Sequence, residues 1–143
     1  MGSEDCIFCK IVRKEAPAHV VCEDARTLVF MDIFPVVDGH TLIIPKAHCD
    51  DLFGAEPDDM RAVIDVSREV AHAIRRVLAP DGLGVFQLNG AAAGQTVFHY
   101  HMHLIPRNHG AGLQIHGRTP GDPARLAEIA KRLAEALEAQ RVG

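Results

Sequence analysis

Apolar positions fall into short runs early in the chain and into a helical stripe in its middle. Val20 to Glu23 and Thr27 to Met31 are short strand-like runs. The polar EDAR between them suits a hairpin connection. Ahead of them, CIFCKIV predicts a turn followed by a short helix, with residues 1–5 a loose terminus. In DIFPVVDGH, Pro35 and Gly39 turn the chain, and Thr41 to Ile44 is a β-rich run ended by Pro45.

The period then changes. Pro57 opens a helix that runs to about Leu78, where Pro80 and Gly82 stop it. Met60, Val63, Ile64, Ser67, Val70, Ala71, Ile74, Val77 and Leu78 fall mostly on one stripe. Gly84 to Leu88 reads as a strand, and the small, flexible Asn89 to Gly94 as a loop around a ligand. Gln95 to Ile105 reads as one long strand. Asp122 and Pro123 resemble an N-cap and a first helical residue, followed by a stripe of Leu126, Ile129, Leu133 and Leu137. About five strands, one long central helix and one C-terminal helix favour an α+β fold. Its helices are expected to cover one face of an antiparallel sheet. No internal repeat and no linker divides the chain, so residues 1–143 are expected to form a single domain.

Alternation along the 95–105 strand sends Phe98, Tyr100, Met102 and Leu104 one way, toward the helices or the core. His99, His101, His103 and Ile105 go the other way, with imidazoles about 7 Å apart. Three readings are open: a metal site, a phosphate-transfer site, or a merely polar strand face. An imidazole is a good nucleophile near neutral pH and can carry a phosphoryl or nucleotidyl group. His101, flanked on both sides, is the geometric choice for the nucleophile, and His103 could donate to a phosphate oxygen.

Composition narrows the field. The chain has 143 residues, 48% of them hydrophobic, which is enough for a real core. A formal net charge of -4 gives no sign of a general nucleic-acid surface, and no nucleic-acid partner is expected, although it leaves room for a local anion site. No apolar run approaches the roughly 20 residues that cross a bilayer, and charged residues surround the early apolar positions. A cytoplasmic protein is expected. There the cysteines Cys6, Cys9, Cys22 and Cys49 favour metal binding over disulfides.

HYHMHLIPR resembles the His-x-His-x-His-x-x signature of the histidine triad (HIT) nucleotide hydrolases and transferases. CIFCKIVRKEAPAHVVCED is similar to the opening of the Hint branch, the nucleoside phosphoramidases. MDIFPVVDGHTLIIPKAH and LNGAAAGQTVFHYHMHLIPR are similar to the family's two nucleotide-binding segments, in the same order.

That resemblance implies an α+β fold around a five-stranded antiparallel sheet, joined in a homodimer into ten strands. It implies His101 as a nucleophile that attacks the α-phosphorus of a purine nucleoside phosphoramidate and forms a covalent nucleotidyl-histidine. The His99 carbonyl would orient the ring through Nδ1. His103 would contact phosphate oxygens, and His40 is the fourth histidine near the nucleophile. Asp32 would bind the ribose hydroxyls, with Ile33 and Phe34 near the base. Asn89, Gln95 and Thr96 match polar positions around the phosphates and leaving group, with threonine where serine is common. Against these stand plainer readings: Asp32 as a turn cap, His40 as a surface histidine, Asn89 as a turn stabiliser, and Arg107 as an exposed strand end.

The resemblance also implies a bacterial, zinc-containing type. Cys6 and Cys9 form a Cys-x-x-Cys pair, a pattern that redox sites share. With His48 and His99 they would make a closed, structural tetrahedral site. Cys22 is expected to face the core or be inert, and Cys49, directly after His48, is a less attractive alternative ligand; His109 and His116 either touch the leaving group or are exposed, and exposure is the expectation. NHGAGLQIHGRTPGD departs from the eukaryotic Hint pattern, which leaves the leaving group open. Cleavage of dinucleoside polyphosphates, or nucleotide binding with little turnover, are the competing functions.

Overall fold

The computed structural model describes residues 4–142. Of the expected loose terminus, residues 1–3 lie outside the described part. The element order is α1 (Ile7–Val12), β1 (Val20–Glu23), β2 (Thr27–Met31), β3 (Thr41–Pro45), α2 (Pro57–Leu78), β4 (Gly82–Phe86), β5 (Met102–Arg107) and α3 (Pro123–Val142). Single 3-10 turns lie at Leu52–Gly54 and Ala91–Ala93. The five strands form one sheet in the order β1-β2-β3-β5-β4, and every neighbouring pair is antiparallel. Among the described residues no helix is long and apolar enough to cross a membrane.

Alternation along β2 and β3 divides the core in two. Val29, Met31 and Ile43 join Tyr100, Met102 and Leu104 under α2 and α3. Leu28, Phe30, Leu42 and Ile44 pack on the opposite face with Cys6, Phe8 and Cys9 of the α1 region. The expectation of helices on one face therefore holds for α2 and α3 only. The second face carries α1, and that face holds the histidines.

The central helix has the expected bounds. Pro57 sits in its first turn, Asp58 and Asp59 complement its N-terminal dipole, and Arg75 and Arg76 its C-terminal end. Ala79, in the left-handed region at φ 46°, closes it and donates its N–H to the Arg75 carbonyl. Its buried stripe differs at the edges from the one read in the sequence. Val66 and Ala73 are buried, and Ile64 is 49% exposed. The start of α3 matches the expectation, with Asp122 Oδ1 accepting from the Ala124 amide.

Two strands differ from expectation for stated reasons. β4 begins two residues earlier and ends at Phe86, whose partner His103 is the last residue it pairs on β5. The long 95–105 strand is, in the sheet, only Met102–Arg107. Upstream of Met102 the ladder to β3 is interrupted. The Pro45 carbonyl accepts from the His99 ring at 2.8 Å, and the Tyr100 amide donates to Cys49 instead. His99 and His101 thus lie on an extended approach to β5, and only His103 is in a ladder, opposite Leu42. The approach still alternates, because Tyr100 is in the helix-side core while His101 faces the α1 side.

Candidate active site and metal centre

His40, His101 and His103 are all buried, at 0%, 5% and 2% exposure, and His101 and His103 stand at the base of a cavity of about 700 Å³. Apolar residues of α1 and the sheet (Phe8, Ile11, Phe30 and Leu42 among them) form one wall. Asp32, Ile33 and Phe34 form another, and Thr96 stands at the rim. The two triad rings are 4.8 Å apart between centroids, closer than successive strand positions alone would set them. The edge of Phe8 holds the His101 ring at 5.2 Å.

The hydrogen bonds assign the tautomers. Nδ1 of His101 donates to the His99 carbonyl at 2.7 Å, which leaves a lone pair on Nε2. The Val36 amide donates to Nδ1 of His40 at 3.1 Å, so His40 carries its proton on Nε2. That Nε2 lies 2.9 Å from Nδ1 of His103 and donates to it. His103 therefore carries its own proton on Nε2, a buried atom with no protein partner. The result is a nucleophilic nitrogen on one ring and an unpaired donor on the next. An anionic phosphate can accept from the donor through an oxygen and offer its phosphorus to the nucleophilic nitrogen.

Burial holds these rings neutral. It lowers His40 to about 4 and His103 to about 3, and the crowding of basic groups (His116 and Arg107 about His40, His101 and His40 about His103) disfavours a further positive charge. His101 is also lowered by burial, with its bond to the His99 carbonyl opposing. Protonation of these rings in the unfolded chain, near 6.5, therefore costs stability in acid. The contribution is complete above pH 6.5 and is lost as the pH falls toward 4. Urea midpoints should hold steady from pH 8 to 7 and drop between pH 6.5 and 4. His40→Gln should flatten that drop.

Asp32 both caps and faces the site. Its Oδ1 accepts from the Phe34 amide at 2.9 Å, and its Oδ2 lies 3.4 Å from Nε2 of His40. Burial raises its carboxyl, and the Phe34 amide opposes this. Asp32, His40 and His103 bring ligand-capable atoms within 4.8 Å of one another, but the tautomer chain already uses the nitrogens that face each other. Asn89 and Gln95 are not brought to the cavity wall. Asn89 Oδ1 accepts from the Leu52 amide and from Nε2 of Gln87, and Gln95 joins the Gly90 amide to the Asp50 and Val97 carbonyls. Both amides brace the loop that carries Thr96.

The structure brings together Cys6, Cys9, His48 and His99, whose donor atoms all lie within 4.8 Å of one another. Nδ1 of His99 is 3.4 Å from Cys6 Sγ and 3.5 Å from Cys9 Sγ, and Nδ1 of His48 is 3.2 Å from Cys9 Sγ. The edge of a zinc tetrahedron between sulfur and nitrogen is about 3.5 Å. The outer nitrogens are engaged elsewhere, His99 Nε2 by Pro45 and His48 Nε2 by Asp50 at 2.9 Å, so both lone pairs turn inward. Without a cation, burial and Cys6 push the Cys9 thiol up to about 11. The donor set fits a divalent zinc, which would favour the thiolates. Cys22 and Cys49 stand apart from this cluster, partly buried against the helix-side core, and burial raises both thiols.

Several cavity residues are not among the expected site residues. His116, expected to be exposed, lines the cavity; its Nε2 donates to the Gly94 carbonyl at 2.6 Å, and its ring is 5.9 Å from His103. Gly117 and Arg118 follow it on the wall. His109 is exposed, as expected. Arg107 points back to the Gly112 and Gln114 carbonyls and stacks on Phe86, so it secures the segment that carries His116. A side chain at Gly117 would overlap the carbonyl oxygens of Phe34 and Pro35. Gly117→Ala should therefore cost about 2 kcal/mol and weaken AMP binding, as urea unfolding and calorimetry would measure. No period or motif marks His116, because it is placed by the path of a loop.

The comparisons with known proteins agree with this geometry. The HIT domain model matches residues 13–110. Protein Hit of Bacillus subtilis is 40% identical over 139 residues, covering 94% of this chain and 96% of its own. A HIT-like protein from Bartonella henselae is 38% identical with a TM-score of 0.88, over 93% of this chain and 96% of that one. A zinc-bound histidine triad protein from Mycobacterium smegmatis is 39% identical with a TM-score of 0.86, over 99% of both chains. From its motif, its sheet and these relatives alike, the chain belongs to the histidine triad (HIT) family.

Proposed function

We propose that the protein is a nucleotidyl hydrolase or transferase of the Hint-like, zinc-containing type, acting on purine nucleoside 5'-phosphoramidates of the adenosine kind. The observation that carries this reading is the free Nε2 of His101, held 2.7 Å by Nδ1 to the His99 carbonyl beside the unpaired Nε2–H of His103. Asp32 takes the ribose hydroxyls, and Ile33, Phe34 and the apolar wall take the base. His103 donates to a non-bridging phosphate oxygen, and His40 keeps its tautomer. Thr96 stands at the rim, toward the leaving group. Asn89 and Gln95 serve the phosphate end through the loop they brace.

Nε2 of His101 attacks the α-phosphorus and forms a phosphorus–nitrogen bond. The bond to the leaving amine breaks, and the amine departs with its electron pair and takes a proton from solvent at the cavity mouth. Water then attacks the same phosphorus and returns a proton to solvent. The bond to His101 breaks, and nucleoside monophosphate leaves. The donor beside the reacting phosphate favours the charge that develops on it.

Cys6, Cys9, His48 and His99 would hold zinc, which supplies a structural cross-link between α1 and the triad approach. The zinc-bound M. smegmatis relative supports that assignment. We further propose one HIT domain over 1–143 and a homodimer joined along β4. That strand has one unpaired edge and carries the half-exposed Val85. The testing experiment is steady-state release of AMP from adenosine 5'-phosphoramidate, with diadenosine polyphosphates in parallel. Turnover of the phosphoramidate at the higher kcat/KM supports the reading. Preference for the polyphosphates, or tight AMP binding without turnover, would replace it.

A further inference from the structure

We infer that His116 and Arg118 form a charge-reading wall that selects nucleotidyl conjugates whose leaving group is anionic. The inference rests on the nucleotide reading of the cavity proposed above and adds its leaving-group class. Apart from the triad, these are the two cation-capable side chains among the described residues that line the cavity. Asp32 is the one carboxylate among them, and its oxygens already face the Phe34 amide and His40. The charge offered to a ligand beyond the phosphate is therefore positive.

The segment carrying the pair is held in place at four points. His116 Nε2 donates to the Gly94 carbonyl, two residues before Thr96, which leaves Nδ1 free to take up a proton and donate it to an anion. The ring lies 5.9 Å from His103, so it borders the position assigned to the phosphate. Gly117 lies against the Phe34 and Pro35 carbonyls, and the Gly121 amide donates to Ile33 at 2.8 Å. From the other side, Arg107 holds the Gly112 and Gln114 carbonyls. Arg118 is exposed and always cationic. A carboxylate or phosphate on the departing group meets a cation there, and an ammonium meets repulsion.

The test uses non-hydrolysable analogues of AMP in which a methylene group replaces the scissile nitrogen. Their tails are of equal length and end in carboxylate, phosphate, hydroxyl or ammonium. Calorimetry on the full chain at low salt should show the two anionic tails binding about tenfold tighter than the ammonium tail. The ratio should shrink as salt rises, which a merely structural role would not produce. In His116→Gln/Arg118→Gln, and partly in Arg118→Gln alone, it should fall to within about twofold. Equal affinity for carboxylate and phosphate assigns a general anion wall, and a further gain for phosphate alone assigns a polyphosphate-type leaving group. No anionic preference in the wild type, or a preference that survives in the double variant, overturns the inference. If the hydroxyl-tailed analogue binds but its phosphoramidate counterpart is not turned over, the reaction is wrong while the tail ratio still stands as measured.

Discussion

His101→Ala is expected to lower turnover of adenosine 5'-phosphoramidate by at least about a thousandfold and to leave the fold intact. The reason lies in the division of labour among the rings. Nε2 of His40 is tied to Nδ1 of His103, and His99 turns its ring to Pro45 and the two cysteines. Only His101 combines a fixed Nδ1–H with a free Nε2 that faces the cavity. Its removal leaves a space beside Phe8 but breaks no buried polar pair except the bond to the His99 carbonyl. The thermal midpoint should stay within a few degrees of wild type, and AMP should still bind. His101→Gly with added free imidazole should recover part of the rate, since the rescuing base occupies the vacated position. Rates above about one tenth of wild type in His101→Ala would remove His101 from the chemistry.

The second large effect is expected at the cysteines. Cys6→Ser is expected to abolish stoichiometric zinc binding and to lower the thermal midpoint by roughly 10 °C, a loss on the order of 3 kcal/mol for a chain of this size. Cys6 is the N-cap of α1, where its Sγ accepts from the Cys9 amide at 3.4 Å, and serine can still cap the helix. A fall in stability would therefore report the metal site, not the cap. The effect should extend to the reaction, because His99 links the two sites. Its ring belongs to the metal cluster, and its carbonyl orients His101. α1 also brings Ile7, Phe8 and Ile11 to the cavity wall. Zinc content by atomic emission, calorimetric melting and kcat should fall together. One zinc per chain retained in Cys6→Ser/Cys9→Ser would show that these thiols are not its ligands.

Elements carried by local signals were legible in the sequence. β1, β2 and β3, with the long α2, lie where strand-like runs, Pro57 and the helical stripe place them. The 95–105 strand was not legible at its first half. The alternation there is real, but pairing depends on what the facing strand offers, and Pro45 offers its carbonyl to a side chain. β4 slipped by two residues because Gly82 reads as a helix stop and also opens the strand. The site divides in the same way. A two-residue period and the family resemblance both point to His101 and His103, whereas the resemblance alone points to His40 and Asp32. Asn89 and Gln95 matched polar positions, yet their amides are engaged by backbone that no sequence pattern shows. His116 lies in a loop, and its route back to Gly94 is set by Gly117 and Arg107, residues that look unremarkable in a row of letters.

The central claim is a covalent nucleotidyl group on His101. The most direct measurement is intact-protein mass spectrometry of a quenched incubation with adenosine 5'-phosphoramidate, followed by peptide mapping. The account predicts an added adenylyl group on the peptide containing His101, formed and lost within the turnover time and missing in His101→Ala. Turnover to AMP with no adduct at any quench time, or an adduct mapped to another residue, would contradict it.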